Sequence, residues 1–324
     1  MKSNRWAILV IGILLLLFPF LVPSDYYRHI LIITLMWVVI GSSWNLLAGY
    51  TGQVSFGHAI FFGTGAYTAG LCTTKLGISA WWGMLLGGPV SLLVGLVIGW
   101  ICFRLRGPYF ALATIAVGEI FRLVAIAWRD VTEGMEGILI MQTFRSKIPY
   151  YYLALFLAAA CILAIHLVSR SKWGYYFVAI REDQDVAEAI GVSTFRYKSL
   201  SLMISSFFTG IAGAFYMNYM AFIDPHVVFS LHDISIMAIL VGIIGGVGTL
   251  WGPPVGAFIM VWLQETFRSS FFGLFPRWVS EAHVLVFGLL VIFAIRYMAN
   301  GIVGDWPKIR RLWSRTKIGE SVNR

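Results

Sequence analysis

Of the 324 residues, 59% are hydrophobic and only 12% are charged, and the mean hydropathy is +0.81. So few charged side chains cannot coat a water-soluble globule of this size, which excludes a soluble protein and leaves a polytopic membrane protein. The net charge of +9 is no nucleic-acid signature, because the basic residues gather in short segments between apolar runs.

A hydrocarbon core about 30 Å thick takes roughly 20 apolar residues per helix. Runs of that kind cover 6–23, 29–48, 52–72, 80–103, 109–127, 150–168, 199–219, 234–252, 254–270 and 282–298. Lys2 and Arg5 precede the first run as in a signal peptide, yet the run is too long for one and no small-residue cleavage site follows. It reads as a retained first span. The expected fold is therefore all-α, with about ten transmembrane helices in a single transmembrane domain over 1–324.

The third run, GYTGQVSFGHAIFFGTGAYTAG, and the eighth, which continues into VGIIGGVGTLWGPPVGAF, are crowded with glycine. Two sets of five spans would make these runs equivalent and, five being odd, opposite in orientation. Such an inverted five-plus-five repeat with interrupted helices points to a transport pathway; close packing of helices through small residues is the alternative. Gln53, Ser55 and His58 lie in the third run, and Glu119 and Arg122 stand at i and i+3 in the fifth. Ionisable groups inside spans are costly and mark candidate pathway positions. The structural alternatives are mutual neutralisation of Glu119 and Arg122 and a hydrogen bond from His58 to a neighbouring helix.

With the N-terminus inside, sixteen basic residues fall on the inner side and seven outside. That asymmetry places both termini in the cytoplasm, together with the 169–198 loop and a basic tail over 299–324. Cys72, Cys102 and Cys161 sit within apolar runs as packing residues. There is no Gly-Lys dipeptide, hence no P-loop, and no H-E-x-x-H. No catalytic residues, metal site or cofactor are expected, and a membrane enzyme has no support.

Within the loop, REDQDVAEAIGVSTF has Asp185 followed three residues later by Glu188, a capping-box pattern, and Gly191 as a stop. Val186, Ala189 and Ile190 would form one apolar face on a two-turn helix, and Ala187 would permit close backbone approach. An apolar face on a cytoplasmic loop suits helix-in-groove recognition; an amphipathic connector on the membrane lipid is the alternative.

Asp185, Val186 and Ala187, then three residues and Gly191, resemble the EAA loop of ABC importer permeases, departing from it at the first two positions. Four further blocks are similar to the LivM-type branched-chain amino acid permease family: SWNLLAGYTGQVSFGHAIFFGTGAY, RLRGPYFALATIAVGEIFR, the stretch from Gly174 to Tyr216, and MAILVGIIGGVGTLWGPPVGAF. The resemblance implies a permease subunit of an ABC importer for branched-chain amino acids or a related small polar solute. It also implies a LivH-like second permease subunit, two ATP-binding subunits docking on 185–191, and an extracytoplasmic solute-binding protein. The outer loop WRDVTEGMEGILI departs from that family in having Glu133 at a usual glycine, which leaves the substrate open to urea, short amides or aromatic acids. The rival class is a self-sufficient secondary transporter or channel using Glu119, Arg122 and His58 as an ion or proton relay.

Overall fold

The computed structural model describes residues 24–268 without a break, together with 12, 14–20, 22, 288 and 301–304. The expected span at 282–298, apart from residue 288, and nearly all of the 299–324 tail lie outside the described residues. Residues 14–20, within the expected first span, are helical.

The described chain is helical almost throughout. Helix α1 (Asp25–Asn45) starts after an extended Ser24 with Asp25 in its first turn, where an acid suits the helix dipole. It runs through the centre of the molecule, buried nearly continuously from Ile30 to its end. A π-turn, Leu46–Tyr50, follows, and residues 52–57 are non-helical. Helix α2 (His58–Thr74) therefore begins six residues later than the expected third span. At about 1.5 Å per residue its 17 residues reach about 25 Å, short of a full hydrocarbon core.

Helices α3 (Ala80–Cys102), α4 (Pro108–Ala127) and α5 (Lys147–Arg170) match the expected runs. They stand at the periphery, where Leu93, Val97, Trp100, Leu112, Leu123 and Leu163 are exposed. Apolar side chains turned outward on long helices are what a lipid or protein environment requires. Between α4 and α5, strand β1 (Ile138–Leu139) pairs antiparallel with β2 (Phe222–Ile223), with Ile138 opposite Ile223. This ladder is the only sheet among the described residues.

The 169–198 loop holds two helices instead of the single short one expected: α6 (Lys172–Glu182) and α7 (Gln184–Ala189). Ser171 caps α6 by accepting the Trp173 N–H. Helix α8 (Thr194–Met220) packs against α2 and α3 at glycine contacts; a Cβ at Gly65 would run into the Gly210 carbonyl, and one at Gly213 into the Phe62 carbonyl.

The expected eighth span ends early, and the helix of the expected ninth begins at Gly252. A π-helical segment, Leu231–Ile236, leads into α9 (Met237–Gly245), residues 246–251 are non-helical, and α10 (Gly252–Arg268) follows. Gly246 and Gly248 take positive φ there, which stops α9 before the expected end at 252. Six helical segments among the described residues are long and apolar enough to cross a membrane. The three cysteines are buried and free.

Candidate docking loop and interrupted-helix junction

The cap of α7 falls on Asp183, not on Asp185. Asp183 is extended (φ −158°), and its Oδ1 accepts the N–H groups of Asp185 and Val186 at 2.9 and 3.0 Å. Asp185 lies inside the first turn, where it receives Arg106 Nη1 at 2.6 Å. This carboxylate raises the Arg106 pKa, chiefly through that hydrogen bond. Glu188 does not reach back to the cap; it accepts from the Thr194 hydroxyl and from Gln184 Nε2, and these bonds hold its carboxyl below the ordinary range.

Val186 and Ile190 are 58% and 72% exposed, and Ala189 is exposed beside them, so α7 presents this small apolar face to its surroundings. Ala187 does not contribute to it. It is 1% exposed, packed with Ile180 of α6 and with Val192, because the helix pair α6–α7 needs a small side chain where the two cross. Gly191 has φ +88°, the left-handed conformation that ends the helix.

The two non-helical stretches meet beside this loop. Asn45, at the end of α1, accepts the Gly248 N–H on Oδ1 at 2.7 Å and donates Nδ2 to the Thr249 carbonyl at 2.8 Å. A Cβ at Gly49 would strike the Gly248 nitrogen, so glycine alone permits this approach. Arg181, next to last in α6, donates Nη1 to the Gly49 carbonyl at 3.0 Å. Its Nε and Nη2 lie on the Glu182 carboxylate at 3.1 and 2.6 Å.

Gln53 and Ser55 occupy the first of these stretches. Gln53 is half-buried, with Nε2 3.3 Å from the Thr51 carbonyl. Ser55 is buried; its Oγ accepts the Gly57 N–H, and its carbonyl accepts Trp44 Nε1. His58, fully buried at the start of α2, has Nε2 2.9 Å from Ser205 Oγ. Ser205 commits its one hydroxyl hydrogen to the Ser43 carbonyl at 2.7 Å, so His58 donates through Nε2. Its Nδ1 has no partner among the described residues. Ser235 Oγ accepts the N–H of the next residue, Ala59.

Glu119 and Arg122 do pair, in two hydrogen bonds on one face of α4, and Arg122 Nη1 also lies 3.1 Å from His226 Nδ1. The Glu119 side chain is 51% exposed. None of the described hydrogen bonds connects His58 to this pair, so the geometry does not assemble the three into one relay. Asn45, Arg181, Ser205, Ser235 and His226 were not singled out from sequence. Asn45 carried the one available signal, a carboxamide inside an apolar run.

In the 128–140 loop Glu133 has φ +62°, a left-handed residue whose carboxylate lies 3.3 Å from Lys75 Nζ. Glycine takes that backbone conformation without the strain a side chain brings. No cluster of His, Cys, Asp and Glu suited to a metal occurs among the described residues.

Residues 26–295 match the family model described as branched-chain amino acid transport system, permease component. The chain is 26% identical to the high-affinity branched-chain amino acid transport system permease protein LivM of Salmonella typhimurium, over 93% of this chain and 75% of that protein. It is 24% identical to LivM of Escherichia coli over the same shares. It is 23% identical to the corresponding permease protein LivH of Escherichia coli, over 85% of this chain and 95% of that one. No solved structure matches the chain. The chain belongs to the branched-chain amino acid transport permease family, and within it to the LivM type.

Proposed function

We propose that this LivM-type permease subunit of an ABC importer carries branched-chain amino acids, or a related small polar solute, across the bacterial inner membrane. In this reading it pairs with a LivH-like second permease, takes its energy from two ATP-binding subunits, and receives solute from an extracytoplasmic binding protein. The match over 26–295 carries the reading, because it spans the interrupted helices and the loop between α5 and α8 alike. The full chain makes ten spans as an inverted five-plus-five repeat, with both termini and the basic tail in the cytoplasm.

The face of α7 formed by Val186, Ala189 and Ile190 enters a groove of an ATP-binding subunit, with Asp185, Glu188 and Gly191 shaping its ends and Ala187 holding it on α6. The pathway runs beside α4 and the first non-helical stretch. Support comes from the position of Glu119: an ionised group turned to lipid at mid-bilayer costs about 2.5–3.5 kcal/mol on insertion scales. Glu119 is half-exposed on an apolar helix and paired with Arg122, and in this reading the pair faces water or the second permease subunit. Gln53, Ser55 and His58 shape the stretch where α2 fails to span.

The test is uptake by proteoliposomes holding the whole assembly. Leucine, isoleucine and valine should enter in an ATP-dependent way that requires the binding protein. Uptake that persists without the ATP-binding subunits would establish the secondary-transporter alternative instead.

A further inference from the structure

We propose that Arg181 is the positioning residue through which movement of the docking loop reaches both interrupted helices. This rests on the reading of α7 as the ATPase-docking element.

One side chain touches both breaks. Besides the bond from Nη1 to the Gly49 carbonyl, the stem of Arg181 lies along the first stretch: a Cβ at Gly52 would sit 3.1 Å from its Cγ and 3.2 Å from its Cα. Toward the second stretch, a Cβ at Gly248 would sit 3.1 Å from Nη1. The carbonyls at a helix end need donors from outside the helix, and Arg181 supplies one at the end of the π-turn.

The guanidinium is planar, so its two edges keep a fixed relation. One edge is held by Glu182, in the loop, and the other by Gly49. Helices α6 and α7 are joined through Asp183 and by the packing of Ile180, Ala187 and Val192, so a displacement of α7 carries Arg181 with it. From Gly49 the displacement passes to the contact of Asn45 with Gly248 and Thr249, and so to the 246–251 stretch ahead of α10. A lysine offers a point charge without the fork, and a glutamine offers neither charge nor reach.

The experiment reconstitutes the full assembly carrying Arg181→Gln, Arg181→Lys or Val186→Asp. It measures co-purification of the ATP-binding subunits, Tm, and leucine transported per ATP hydrolysed. For Arg181→Gln the ATP-binding subunits stay bound while the transport-to-hydrolysis ratio falls at least about tenfold, as expected from losing one charge-assisted hydrogen bond. Arg181→Lys gives an intermediate ratio. A residue that merely stabilised the fold would lower Tm and yield at an unchanged ratio. A wild-type ratio in either arginine variant overturns the proposal. Val186→Asp separates the two readings. If it releases the ATP-binding subunits while the arginine variants transport normally, docking stands and the proposal falls. If it leaves them bound, the docking reading fails and takes the proposal with it.

Discussion

Asn45 and Gly248 lie 203 positions apart in the chain and are joined by a 2.7 Å hydrogen bond, the carboxamide oxygen of one receiving the backbone N–H of the other. The same carboxamide donates to the Thr249 carbonyl, so one buried side chain satisfies two backbone groups of a non-helical stretch. Asn45→Ala leaves both without that partner, and each such group costs about 1–3 kcal/mol when buried. The expected outcome is a lower Tm of the purified protein in detergent. Asn45→Asp should also be destabilised, since a carboxylate accepts from Gly248 but cannot donate to Thr249.

Ala187 is a packing residue, so its replacement should act through the loop's own fold. Ala187→Leu overfills the contact with Ile180 and Val192 at a cost of about 1–3 kcal/mol, and α7 should loosen. Limited proteolysis within 183–193 should quicken, whereas Val186→Asp, on the exposed face, should leave cleavage unchanged.

Glu133 tests whether backbone conformation or charge governs the 128–140 loop. Glu133→Gly relieves a left-handed residue, whose strain is about 1–2 kcal/mol. Glu133→Val adds a branched side chain in the same conformation. Tm should hold or rise for the glycine variant and fall for the valine variant. Glu133→Gln loses only the half-exposed contact with Lys75 and should change little.

For Glu119 and Arg122, either single change to glutamine leaves one charge without its partner and should reduce the amount of assembled protein. The double variant should assemble better than both. Its uptake then separates the roles: loss of leucine transport in an assembled double variant supports a pathway position, and wild-type transport would confine the pair to assembly.

Sidedness can be read with single cysteines in a background lacking Cys72, Cys102 and Cys161. Thr132 is a poor reporter despite its loop position, because it is buried and its hydroxyl donates to the Ala125 carbonyl. Met135 and Tyr175, 62% and 74% exposed, are better. An impermeant thiol reagent on intact cells should label Met135→Cys and spare Tyr175→Cys; the reverse pattern would invert the topology.

Much of the helical layout was legible because apolar runs of span length have few other uses. Gly191 was equally legible, since a glycine after a short helical pattern usually means a left-handed stop. The breaks were placed only roughly: glycine marks where a helix can yield, while the point at which it yields at Gly52 and Gly246 depends on partners such as Asn45 and Arg181. The cap was misplaced by two residues because Asp183 and Asp185 are both acids able to serve, and only the extended backbone at Asp183 decides between them. Ala187 could not be oriented from a two-turn pattern, because the helix it packs on, α6, was not itself foreseen.

The glycine contacts among α2, α3 and α8 bear on where the molecule can bend. Besides the approach of Gly65 to Gly210 and of Gly213 to Phe62, a Cβ at Gly210 would collide with Ser91 of α3. Backbones this close interlock, and they cannot slide past one another without first being prised apart. These three helices consequently travel as one stiff block. Any alternation between inward and outward openings has to be absorbed at its margins, where α1 meets α9 and α10 across Asn45 and the adjacent segments have already given up regular helix.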